Sequence, residues 1–158
     1  MFAATRLVPV VISAIVVIAI GCGTPRPTEP YACVAANQAE LMIRWGTQDD
    51  STNMLEQYSM NTKGEVFRYV GAPATRSDGE FLLVVDGPTY CASAKTTMSA
   101  FLKVQALNTG ARKQRFIDYR NTRTDVYLRA VWNPDLQTFQ SRDMRELYDE
   151  LMLLVTQD

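Results

Sequence analysis

The sequence predicts an α+β domain: an antiparallel sheet of about five to six strands with two helices on one face. Three observations lead there. Short apolar segments with two-residue alternation recur through the middle of the chain, separated by turns rich in Gly, Asn and Asp. Two longer segments, one after Pro88 and one near the C-terminus, place apolar residues at helical spacing instead. Strands joined by hairpins, with helices inserted among them, are the pattern of an α+β fold.

Taken in order, Glu40 to Trp45 alternates, with Leu41, Ile43 and Trp45 on one side and Met42 and Arg44 on the other, as a half-buried strand does. Gly46 to Asn53 is polar and reads as a turn. Met54–Met60 and Glu65–Val70 form a hairpin about Asn61-Thr62-Lys63-Gly64, with Gly placed for a left-handed turn position. Gly71 to Gly79 is a loop. Phe81 to Val85 is continuously apolar and bounded by Asp86-Gly87-Pro88, the signature of a short central strand.

Pro88 and Thr89 open the first helix, with Cys91, Ala94, Met98, Phe101 and Leu102 at helical spacing and Asn108-Thr109-Gly110 as its stop. Arg115–Tyr119 and Asp125–Trp132 make a second hairpin, which Asn133-Pro134-Asp135 ends. Ser141 is placed to cap the last helix, whose stripe runs through Met144, Leu147, Tyr148, Leu151, Leu154 and Val155. Arg142 with Glu146 and Arg145 with Asp149 are candidate i, i+4 pairs on its wet side.

Ahead of this domain, Met1 to Arg6 carries one charge, and Leu7 to Ile20 is apolar apart from Ser13. A basic start, a short apolar core and small residues at its exit are the parts of a secretory signal. A spanning helix needs about 20 apolar residues, and this run is shorter and is followed by Gly23, Pro25 and Pro27. The closing Ala19-Ile20-Gly21-Cys22 resembles the lipobox of bacterial lipoproteins, with Ala19 where that family usually carries Leu. The resemblance covers the signal alone. It implies cleavage before Cys22, diacylglycerol on its sulfur and an extracytoplasmic membrane anchor. Gly rather than Asp after the Cys implies the outer membrane where the source has one. An uncleaved anchor, or an ordinary signal with Cys22 as a bystander, stays open as a rival. The domain organisation is then a signal at 1–21, a lipidated Cys and Pro-rich tether at 22–30, and one α+β domain at 31–158.

Composition narrows the function. The formal net charge is −1, and the only charge in the signal is Arg6, so nucleic-acid binding has no electrostatic support. The chain has no histidine, which removes a Ser-His-Asp triad, a Cys-His pair and His-ligated zinc. No cofactor or metal motif stands out: Lys95-Thr96 lacks the preceding glycine of a phosphate loop, and Asp49-Asp50 reads as a solvated turn. Cys33 and Cys91 remain beside Cys22, and in an exported chain an even pair predicts a disulfide, worth about 4 kcal/mol for so long a loop.

Two functional readings follow. The leading one is a non-catalytic binding or scaffolding domain, held at the membrane through lipid on Cys22 and facing an envelope protein or an anionic polymer. Arg112, Lys113, Arg115, Arg120, Arg123 and Arg129 are its candidate surface for an anionic partner, although alternation points Arg115 opposite to Arg120. The rival is a small hydrolase using carboxylates, with Asp86 the first acid to inspect.

Overall fold

A computed structural model describes residues 26–104 and 107–156. Cys22, the signal and the first residues of the tether lie outside them. Six strands, β1 (Leu41–Asp49), β2 (Met54–Asn61), β3 (Glu65–Gly71), β4 (Glu80–Val84), β5 (Lys113–Asn121) and β6 (Val126–Trp132), form one sheet in the order β4-β3-β2-β1-β5-β6. Every pairing is antiparallel. Two helices, α1 (Gly87–Lys103) and α2 (Arg142–Thr156), complete the α+β fold that the sequence predicts.

β1 runs four residues past Trp45, through a stretch that sequence alone assigns to a turn. Gly46 is the reason. It sits opposite Gln57 on β2 and Phe116 on β5, and a Cβ there would lie 2.0 Å from the Glu56 carbonyl oxygen. Glycine in this strand marks a close backbone approach. The turn falls later, at Asn53, which takes a positive φ of 53°.

α1 starts where Asp86 accepts a hydrogen bond from the Thr89 amide at 3.0 Å and another from the Thr89 hydroxyl at 2.7 Å. It carries the chain from the β4 edge to β5, across four strand spacings of about 4.8 Å each, or roughly 19 Å. Its 17 residues span about 25 Å, enough for the crossing. The helix ends at Lys103, short of the stop expected at Asn108-Thr109-Gly110. Leu107 to Thr109 instead lies along β6: Val131 donates to the Leu107 carbonyl at 2.9 Å and Thr109 donates to the Val131 carbonyl at 3.1 Å. That pairing, with Leu107 buried, outcompetes another helical turn.

Both helices cover one sheet face. Ile43, Trp45, Met60, Val66, Ile117 and Trp132 from the strands meet Tyr90 and Ala100 of α1 and Met144, Leu147 and Leu151 of α2. Trp132 packs edge-on against Tyr148, with ring centroids 5.7 Å apart. The expected i, i+4 ion pairs on α2 do not form. Arg142 turns to Asp143 at 3.2 Å, Arg145 reaches back to the Ser141 hydroxyl at 3.2 Å, and Asp149 faces Arg115 of β5 at 3.7 Å. Ser141 holds the N-cap position, but its hydroxyl serves Arg145 and Thr138 rather than a backbone amide.

Candidate functional site

The second sheet face is mixed: Leu55, Phe116 and Val131 form a small buried cluster with Tyr69 packed on it, and the loop between β3 and β4 covers the polar positions beside it. Alternation places Arg44, Gln57, Ser59, Asp118 and Arg129 there. Gln57 and Ser59 are fully buried because the loop supplies their partners, the carbonyls of Ser77 and Asp78, each at 3.3 Å. Arg76 reaches from the loop to Asp118 at 3.0 Å and donates its Nε to Gln57 Oε1. Arg129 donates to both Asp118 carboxylate oxygens at 3.0 Å. Asp118, 1 % exposed, is thus neutralised by two guanidiniums that also lie near the Phe116 ring. Such a network fixes the loop. Within it both Asp118 carboxylate oxygens accept from arginine.

The candidate basic surface divides. Arg129 is bound to Asp118. Arg115 lies on the helix-covered face, over the Tyr148 ring at 4.7 Å and beside Asp149. Arg112 and Lys113 are exposed at the start of β5, and Arg120 and Arg123 are exposed at and beyond its other end. Lys113 and Arg120 are seven strand residues apart, about 23 Å. The structure brings Arg120 together with two cations absent from the sequence-based group, Arg44 and Lys63, around a cleft of about 390 Å³. Both come from other elements, β1 and the β2–β3 turn. In sequence, only the outward position of Arg44 in the alternation of β1 hints at this.

The Cys33–Cys91 disulfide is present, with Cα atoms 5.9 Å apart. It ties the segment before β1 to the fifth residue of α1. Between them runs a groove of about 460 Å³, lined by Val34, Leu41, Ala94 and Met98 with Tyr90, Tyr119 and Lys95. The Tyr90 hydroxyl is buried and has no hydrogen-bond partner among the described residues. Burial, and then the neighbouring Tyr119, push its ionisation up to about 12. Burial also raises that of Tyr119. Both phenols therefore stay neutral at ordinary pH. Both rings form the buried floor of a groove whose rim carries Gln38, Lys95 and Ser99.

Asp86, the acid weighed for hydrolysis, is occupied as the cap of α1, and the Thr89 hydroxyl and amide hold its carboxyl below the ordinary range. Asp49 is held low in the same way by the Ser51 hydroxyl and amide. Among the described residues no group of three His, Cys, Asp or Glu side chains is arranged to hold a metal.

No protein-family model matches the chain, and neither the curated proteins nor the solved structures contain a significant match.

Proposed function

We propose that the protein is a membrane-anchored, extracytoplasmic lipoprotein of the cell envelope, and that its domain binds or scaffolds without catalysis. The observation that carries this reading is the Cys33–Cys91 bond, since disulfides persist in oxidising compartments outside the cytosol. The lipobox-like Ala19-Ile20-Gly21-Cys22 supplies the anchor. No helix among the described residues is long and apolar enough to cross a membrane. The groove with its two neutral phenols is the favoured binding site, and the occupied carboxylates of Asp86 and Asp118 weigh against the hydrolase alternative.

The test is Cys22→Ser in cells fed a labelled fatty acid. The expected outcome is loss of label and release of the domain from the membrane fraction. A Cys22→Ser protein that still pellets with membranes and keeps its N-terminus overturns the lipid anchor.

A further inference from the structure

The described chain begins on the domain rather than away from it. The Arg26 guanidinium lies over the Phe81 ring, 3.7 Å from its centroid. Tyr31 then locks the segment down. Its amide donates to the Thr62 carbonyl at 3.0 Å and its hydroxyl donates to the Val85 carbonyl at 2.6 Å. Gly64, at a φ of +72°, makes room for that ring, because a Cβ would sit 2.7 Å from it. Part of the Pro-rich stretch expected to act as a free tether is therefore bound to the domain.

Four residue steps separate Cys22 from Arg26. Fully extended they reach about 14 Å. The sheet from β4 to β6 spans five spacings, about 24 Å. The leash is shorter than the domain is wide, so the β4 side stays close to whatever holds Cys22 and the β6 edge cannot take its place.

That side carries an exposed apolar group flanked by the charges of Arg68 and Glu80. β4, whose continuous apolar run reads in sequence as a central strand, is instead an edge strand with no partner on its outer side among the described residues, and its first three residues are exposed. Phe81 is 38 % exposed, Leu82 is 41 % exposed and Val70 of β3 is 52 % exposed. They flank one shallow depression. Leu82 is the extra residue of a bulge: Val66 pairs with Leu83 while Phe67 pairs with Phe81. Bulges blunt an edge against pairing with another strand, whereas aromatic and branched apolar side chains beside an arginine suit the headgroup–acyl boundary.

We infer that the β4 edge, through Phe81, Leu82 and Val70, rests on the lipid surface that anchors Cys22 and fixes the orientation of the domain. The inference rests on the anchoring proposed above. The lipid would supply attachment, and this patch the orientation, leaving the β6 edge farthest from the bilayer.

An environment-sensitive fluorophore on a single introduced cysteine tests it. Leu82→Cys and Tyr127→Cys are labelled in the lipidated mature protein, with Cys33 and Cys91 protected by their bond. Tyr127 is 56 % exposed on β6. The proteins are reconstituted on phosphatidylethanolamine–phosphatidylglycerol vesicles that carry a nitroxide in the acyl region. The expected result is flotation of both, with blue-shifted, quenched emission at position 82 and water-like, unquenched emission at position 127. Adding Phe81→Ser should retain flotation and lower the quenching at 82. Flotation with position 82 unquenched, or with both positions quenched alike, overturns the inference while leaving the anchor intact. Failure to float overturns the anchor and the inference with it. A blue shift at 82 without vesicles that grows with protein concentration assigns the patch to a second copy and overturns the lipid contact.

Discussion

Asp118 and Arg129 stand directly opposite each other on β5 and β6, with Arg129 Nη1 3.0 Å from both carboxylate oxygens of a side chain that is almost fully buried. This pair, with Arg76, holds the β3–β4 loop on the sheet. Deleting the carboxylate leaves two guanidiniums whose side chains are 27 % and 29 % exposed, so water takes up part of the loss and the cost falls below that of a fully buried pair. Asp118→Asn is expected to cost about 1.5–3 kcal/mol in urea unfolding, the range for hydrogen bonds to a charged group. Arg120→Ala, exposed at the end of the same strand, should stay within about 0.5 kcal/mol of the parent. Equal effects of the two would show that the network does not hold the loop.

The C-terminal helix offers a packing test. Leu151 is 1 % exposed and belongs to the main core, whereas Leu153 on the same helix is exposed. Leu151→Ala is expected to cost about 2–5 kcal/mol. Leu153→Ala should leave the melting midpoint nearly unchanged. If Leu151→Ala melts normally but loses a co-purifying protein, the stripe is an interface rather than core.

Removing the disulfide by Cys33→Ser with Cys91→Ser is expected to cost about 2–5 kcal/mol. Mass spectrometry without reductant should find no free thiol at either position in protein isolated from the envelope. Two free thiols in that material would refute the bond in its native setting, and with it the argument for export.

Tyr90 and Tyr148 yield an alkaline signature. Burial pushes both phenols up to about 12 from an ordinary value of 10.0. A folded-state value above the unfolded one means the folded form holds its proton longer. The stability is fully present below about pH 10. It falls as the unfolded phenols ionise and is lost by about pH 12. Alkaline unfolding monitored at the tyrosinate absorbance should follow that window. Tyr90→Phe should weaken the dependence without destabilising at neutral pH, since the hydroxyl has no partner among the described residues.

The helix-covered face was legible because apolar side chains recur at strand and helix periods in Leu41, Ile43 and Trp45 and in Met144 to Leu151. The other face was not. Gln57, Ser59 and Asp118 sit at the outward positions of alternating strands, where a polar residue signals water as readily as a buried partner. Their partners lie in a loop whose path no periodicity describes. The same blindness hid the groove. Tyr90 and Tyr119 belong to different elements, and nothing in their spacing announces that α1 brings them together. The disulfide was legible through pairing logic, whereas the grouping of Arg120 with Arg44 and Lys63 needed the register of three strands.

The position of β1 has a consequence for the order of assembly. β1 borders β2, its neighbour in sequence, and β5, which the chain reaches only after three more strands and a helix. The four-strand meander can form from local turns, while the edge of β1 and the face around Trp45 wait for distant partners. Pairings of such long sequence separation close slowly. The Cys33–Cys91 link closes a loop around this meander and ties α1 to the segment that leads into β1 before β5 is needed. Docking of the β5–β6 hairpin then becomes the late step, and β1 is the surface on which an incompletely folded chain is most open to capture by another.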